Sequence, residues 1–126
     1  MTRTLIERHG LAEFATVVHR PLKNVSIGGE VFVWYDIDGL AFGEKVEMIL
    51  VDGPPFTVHP LARYPALPLM LPHLAPGAVV ILDDAKRPEE VRIAERWRSE
   101  YPGFEFGNVD VEKGALVVTR RETPRT

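Results

Sequence analysis

A chain of 126 residues is long enough for one domain with one hydrophobic core and little to spare. It is 45% hydrophobic and 26% charged with a net charge of −3, and no basic stripe appears, which excludes a nucleic-acid partner held mainly by phosphate contacts. The absence of cysteine excludes disulfides, thiolate zinc sites and a cysteine nucleophile, and no apolar run approaches the roughly 20 residues of a membrane span.

There is no signal-peptide pattern at the start, so a cytoplasmic location and no membrane partner are expected. Residues 2–9 read as the tail of a helix closed by Gly10 as its C′ cap, only about two turns long. The β-branched alternation of "EFATVVH" predicts a strand over residues 14–19. "NVSIGGEVFVWYD" predicts a hairpin turning on Gly28-Gly29, since a two-residue turn with positive φ favours glycine. After a loop around residues 39–43, "VEMILV" is almost continuously apolar and predicts a parallel strand buried on both faces.

"RYPALPLMLPHL" is apolar at helical spacing, but Pro68 and Pro72 argue against a regular helix. "GAVVILDD" predicts a second buried parallel strand. Pro88, Glu89 and Glu90 then open a helix, with proline in the first turn and acids against the dipole. Val91, Ala94, Trp97 and Tyr101 form its expected apolar stripe. "FEFGNVDV" and "ALVVTR", joined around Glu112-Lys113-Gly114, predict a terminal antiparallel pair, followed by a short Arg-rich tail expected to fray. Strands alternating with helices indicate an α/β domain over residues 1–126 with a mainly parallel sheet and a C-terminal antiparallel hairpin.

Both buried strands end on carboxylates, Asp52 on one and Asp83-Asp84 on the other. In open α/β sheets ligands sit outside the carboxyl ends of strands, so neighbouring strands would bring three carboxylates to one crevice. Such a group shares protons, binds a cationic group, or holds a hard divalent cation such as Mg²⁺. The other reading is structural: Asp52 caps its own turn and one of Asp83 and Asp84 caps the following helix. His59, after the diproline turn, is the histidine placed to reach the crevice as base or ligand, or else it is a plain loop residue. His19 ends its expected strand on the same side, while His9 and His73 read as helix-end residues. Trp34 and Tyr35 could wall a planar ligand, but first form a packed hairpin face. No nucleophile elbow and no glycine-rich phosphate loop occurs.

"VEMILVDGPPF", "RYPALPLMLPHLAPGAVVILDDAKRP" and "EKGALVV" together resemble the C-terminal half of class I S-adenosylmethionine-dependent methyltransferases, closest to a bacterial group with a VDGPP-type motif. "LIERHGLAEFATVVHRPL" is similar to the end of that family's second helix and its third strand. The resemblance implies a partial Rossmann-like sheet lacking the first two strands. It also implies methyl transfer from S-adenosylmethionine to a small hydroxylated acceptor. Arg20, Pro21 and Leu22 would lie near the adenine. In the catechol-type branch of the family, Asp52, Asp83 and Asp84 would bind a divalent metal, with Asp84 replacing an asparagine.

The glycine-rich loop and ribose-binding acid of that family would precede Met1, so weak cofactor binding and no activity by this chain alone are expected. Strand edges and apolar faces left open by those missing strands imply a homodimer. Two other classes remain: a non-catalytic dimerisation or interaction module derived from the fold, and an α/β domain that binds a small molecule without methyl transfer.

Overall fold

A computed structural model describes residues 15, 16, 18–40, 42, 45–55 and 57–121. The expected helix over residues 2–9 lies outside them, as do residues 122–126 of the Arg-rich tail; Arg120, expected to fray with it, instead ends the last described strand. Among the described residues the first regular structure is the hairpin β1 (Leu22–Ile27) and β2 (Glu30–Tyr35), paired in register with Val25 opposite Phe32. Gly28 and Gly29 take φ of 57° and 85°, the two successive positive values that the tight turn demands and a side chain would resist. On β2 the inward residues Phe32 and Trp34 are buried, and the sequence expectation for this hairpin holds.

The second sheet has four strands in the order β3–β4–β6–β5, with β3 (Val46–Val51), β4 (Leu74–Asp83), β5 (Phe104–Val109) and β6 (Ala115–Arg120). Only β3 and β4 are parallel; β4 with β6 and β6 with β5 are antiparallel. The sheet is therefore mixed, not mainly parallel. The cause is the terminal pair: β6 inserts beside β4 and takes the place where a further parallel strand would stand. Residues 15, 16 and 18–20 form no strand, contrary to the reading of residues 14–19. A strand is held by a ladder to a neighbour, and no described strand pairs with this segment.

Between β3 and β4 the proline-rich segment makes α1 (Ala66–Met70), one short helix that tightens into a 3₁₀ turn over Leu71–His73. Pro65 at its start is tolerated, while Pro68 and Pro72 limit its length as expected. Between β4 and β5 runs α2 (Pro88–Glu100), with Glu89 and Glu90 in its first turn. Of the expected stripe Trp97 is buried and Ala94 and Tyr101 pack partly buried against the core, but Val91 is exposed, and Glu90 and Ile93 complete the buried row. The Arg87 Nε bond to Glu90 at 2.8 Å neutralises that carboxylate and lets it occupy the buried i, i+3, i+7 row.

Side chains alternate across the sheet, and the ladder registers place Val51, Leu82 and Leu116 in one row and Ile49, Val80 and Val118 in the next. These rows face α2 and the hairpin in one core cluster with Ile93, Trp97, Phe32, Trp34, Tyr64 and Leu67. Trp97 donates through Nε1 to the Tyr64 carbonyl at 3.1 Å, and Phe32 stacks on Tyr64 with ring centroids 4.9 Å apart. Arg96 sits 4.3 Å above the Tyr64 ring and pairs with Glu30 at 2.8 Å, tying hairpin to helix.

The opposite face carries Met48, Leu50, Val79, Ile81 and Val117. Met48 is 62% and Leu50 64% exposed, so β3 is not buried on both faces. Continuous apolarity signals two covered faces, but among the described residues only one of them is covered. The outer edge of β3 likewise has no strand partner among the described residues.

Candidate functional site

The parallel register of β3 and β4 sets Val51 beside Leu82, so the next residues, Asp52 and Asp83, emerge together at the carboxyl ends of neighbouring strands. Asp84 follows in the left-handed region at φ 55°, a conformation that aspartate tolerates better than most residues. One carboxylate oxygen from each of Asp52, Asp83 and Asp84 falls within 4.8 Å of the others. The convergence of three carboxylates expected from the two strand ends is thus present.

The three carboxylates surround a residue that the sequence reading passed over. Arg63 has a side chain only 6% exposed, lying 3.7 Å from Asp52 and 3.6 Å from Asp84. It also donates to the backbone carbonyls of Pro54 at 3.4 Å and Asp83 at 3.3 Å. Arg87 adds a second guanidinium 3.4 Å from Asp84. The signal for Arg63 was available: it is the only Asp, Glu, Lys or Arg between Asp52 and Asp83. A lone cation in so long an apolar stretch must find carboxylates when it is buried. The loop that delivers it is fixed by Leu61, at φ 54°, whose N–H donates to Glu89 Oε1 at 2.7 Å. Tyr64 N–H then bonds the Leu61 carbonyl at 2.9 Å, closing the turn around Arg63.

The purely structural roles considered for the aspartates do not describe these contacts. Arg87 is the N-cap residue of α2 and no side chain bonds that cap. Asp83 Oδ1 accepts from the Asp84 N–H at 2.9 Å, a local bond that holds the strand end rather than the helix. Asp84 pairs with two arginines, and Asp52 pairs with Arg63 while its side chain stays 63% exposed.

Beside Asp52 a cleft of about 310 Å³ opens between the hairpin and the β3 strand end, lined by Trp34, Tyr35, Leu50, Val51, Asp52 and Gly53. Trp34 is mainly a core residue, and Tyr35 meets its edge at 5.2 Å. A Cβ at Gly53 would stand 2.8 Å from the Tyr35 hydroxyl, so any side chain there would displace that hydroxyl. Arg20, Pro21 and Leu22 enter the hairpin next to this cleft. Leu22 is the cross-strand partner of Tyr35, and the Pro21 carbonyl accepts from Asp36 N–H at 2.8 Å.

His59 is not brought into the carboxylate group. Its Nδ1 lies 2.8 Å from the Pro60 carbonyl, which can only accept, so Nδ1 carries the proton. Its ring tilts toward Phe32 at 6.0 Å. His19 is exposed in the irregular segment, and His73 packs against Phe42 with centroids 4.6 Å apart. The donor chemistry of Asp52, Asp83 and Asp84 suits a hard divalent cation, but the Arg63 guanidinium already stands against two of the three. As arranged, the group does not fit a metal.

No protein-family model matches this chain, and no curated protein matches it. Among the described residues no helix is long and apolar enough to cross a membrane.

Proposed function

We propose that this is a methyltransferase-like domain of the Rossmann-like class. In this reading it contributes the acceptor side of S-adenosylmethionine-dependent methyl transfer to a small hydroxylated molecule. The observation that carries this reading is the double membership of Asp52. It belongs to the carboxylate group at the ends of two adjacent parallel strands, and it also lines the aromatic-walled cleft of about 310 Å³. A concave, mostly apolar site with a few convergent polar groups is the usual form of a small-molecule pocket.

In this reading Tyr35 and Leu50 supply the apolar walls that seat a planar acceptor. The exposed carboxylate of Asp52 accepts the hydrogen bond of its hydroxyl. Arg63 holds that carboxylate in place from behind and limits the charge repulsion with Asp84. The segment containing Arg20, Pro21 and Leu22, adjacent to Tyr35, lies on the side where the adenosine part would enter. S-adenosylmethionine, when bound, supplies the electrophilic methyl group. The test is a panel of small phenols and diols with S-adenosylmethionine, scored by the rise in Tm and by transfer of a tritiated methyl group, with Asp52→Asn as control. Because this chain alone is expected not to turn over, an acceptor-induced rise in Tm that the substitution abolishes supports the reading, and no rise at millimolar concentrations overturns it.

A second reading, a non-catalytic dimerisation module derived from the same fold, is favoured by one observation. Met48 and Leu50 form an open apolar face next to the edge of β3 that has no strand partner among the described residues. A second copy could pair along that edge in antiparallel fashion and produce a two-fold, self-complementary interface. A monomer by light scattering at micromolar concentration would count against it.

A further inference from the structure

We infer that Arg63 is the resident cation of the strand-end carboxylate group, and that it closes this group to divalent metals. Three observations combine. The guanidinium is almost wholly buried, so its charge cannot be left to water and must be met by protein groups. It is held from four directions, by Asp52, Asp84 and the carbonyls of Pro54 and Asp83, which makes it part of the built structure. The loop that carries it is pinned at Leu61 by Glu89 from the first turn of α2, so the backbone beneath the side chain is held in place.

A hard dication competes badly with this arrangement. Octahedral Mg²⁺ takes oxygens at about 2.0–2.1 Å and so draws neighbouring ligands to about 3 Å of one another. One oxygen of each carboxylate lies within 4.8 Å of the others, but the guanidinium stands 3.6–3.7 Å from two of the three carboxylates. Closing the carboxylates on a dication would bring a second positive centre up against the buried guanidinium, or expel it. Arg63 already offsets one of the three negative charges, and Arg87, shared with Glu90, offsets part of a second. The ligands suited to what remains are neutral hydrogen-bond donors and singly charged cations at the exposed Asp52 carboxylate. The inference does not depend on methyl transfer; it concerns only what the group will bind.

Mn²⁺ is the probe, since binding removes the sharp EPR signal of the free aqueous ion. With the intact chain, millimolar Mn²⁺ is expected to keep its full free-ion signal, and Asp52→Asn is expected to change nothing. Arg63→Met removes the guanidinium while keeping the apolar stem, and should bind Mn²⁺ at least about tenfold more tightly than the intact chain, equivalent to about 1.4 kcal/mol. Adding Asp84→Asn to Arg63→Met should abolish that gain. Where circular dichroism shows Arg63→Met unfolded, Arg63→Gln takes its place, because its amide can still donate to the Pro54 and Asp83 carbonyls. Mn²⁺ bound by the intact chain and lost in Asp52→Asn would overturn the inference. So would a folded Arg63 variant that binds no Mn²⁺. Failure of the methyl-transfer assay leaves each of these readings unchanged, so the two proposals fail separately.

Discussion

Removing the Arg63 guanidinium should destabilise the fold by an amount that its surroundings allow to be worked out. Breaking a buried ion pair by deleting one partner costs about 3–5 kcal/mol when the remaining charge has no other compensation. Here the cost is lower on both arms. Asp52 is 63% exposed, so water screens its share to about 0–1 kcal/mol. Asp84 is 16% exposed but keeps Arg87 at 3.4 Å. The hydrogen bonds to the Pro54 and Asp83 carbonyls are long, at 3.4 and 3.3 Å, and lie at the weak end of their range. Arg63→Met should therefore cost about 2–3 kcal/mol, against roughly 6–19 kcal/mol of total stability for a chain of this length. Because Asp84 is the more buried partner, Asp84→Asn should restore part of the loss in the double variant. The coupling between the two sites should be about 1–2 kcal/mol. Equilibrium urea unfolding followed by tryptophan fluorescence reads all four corners of the cycle. With m of about 1–3 kcal/mol/M, the midpoint of Arg63→Met should fall by roughly 0.7–3 M. A loss within about 0.5 kcal/mol of zero, or effects that add within the same margin, would refute the claim that Arg63 and Asp84 act on one another.

Other expectations follow from the same contacts. Burial, followed by the hydrogen bond to Glu100, pushes the Tyr64 phenol well above the ordinary tyrosine range. The unfolded chain thus loses that proton first, and stability should fall as pH rises above about 10, by at most about 1.4 kcal/mol per pH unit from this group. Tyr64→Phe should flatten that alkaline fall, with Tyr101, also pushed up by burial, supplying the remainder; an unchanged slope in urea titrations from pH 9 to 11 would count against it. Leu50→Lys separates the two functional readings. If a second copy covers this face, the variant should weaken the dimer by about 1–2 kcal/mol, read by light scattering across a dilution series. On an uncovered face it should leave both association and stability unchanged within about 0.5 kcal/mol. Gly53→Ala should displace the Tyr35 hydroxyl, which can swing away, and so cost under about 1.5 kcal/mol while altering ligand binding in the cleft. A change in stability with identical acceptor binding would contradict that assignment.

What could be read from the residues depended on how local the signal was. Gly28-Gly29 between two β-rich runs needs nothing beyond its neighbours, and the hairpin was legible. So was the paired ending of "LVD" and "ILDD", because two continuously apolar strands alternating with a helix place their ends on one side of a sheet. Other features depend on distant partners. The opposite face of β3 carries the same apolar residues whether or not another element covers it, so Met48 and Leu50 could not announce their exposure. The β-branched run before Arg20 has the composition of a strand but no described partner strand. Val91 matched a helical stripe by hydropathy, yet Glu90 took the buried row because Arg87 neutralises it. Arg63 was legible in principle, as the one charged residue of its stretch, but motif reading looks for acids and histidines and passes over the cation that pairs them. His59 had the opposite history: its position in sequence suggested the crevice, while its Nδ1 bond to the Pro60 carbonyl turns the ring toward Phe32.

The central claim is that Asp52, at the junction of the carboxylate group and the aromatic cleft, receives a small hydroxylated acceptor. Saturation-transfer difference NMR tests it most directly, with the intact chain, S-adenosylmethionine and a catechol-type diol, and with Asp52→Asn under the same conditions. Transfer of saturation to the diol ring protons in the intact chain, lost in a folded Asp52→Asn variant, is the predicted result. No transfer in the intact chain, or equal transfer in both, would contradict it.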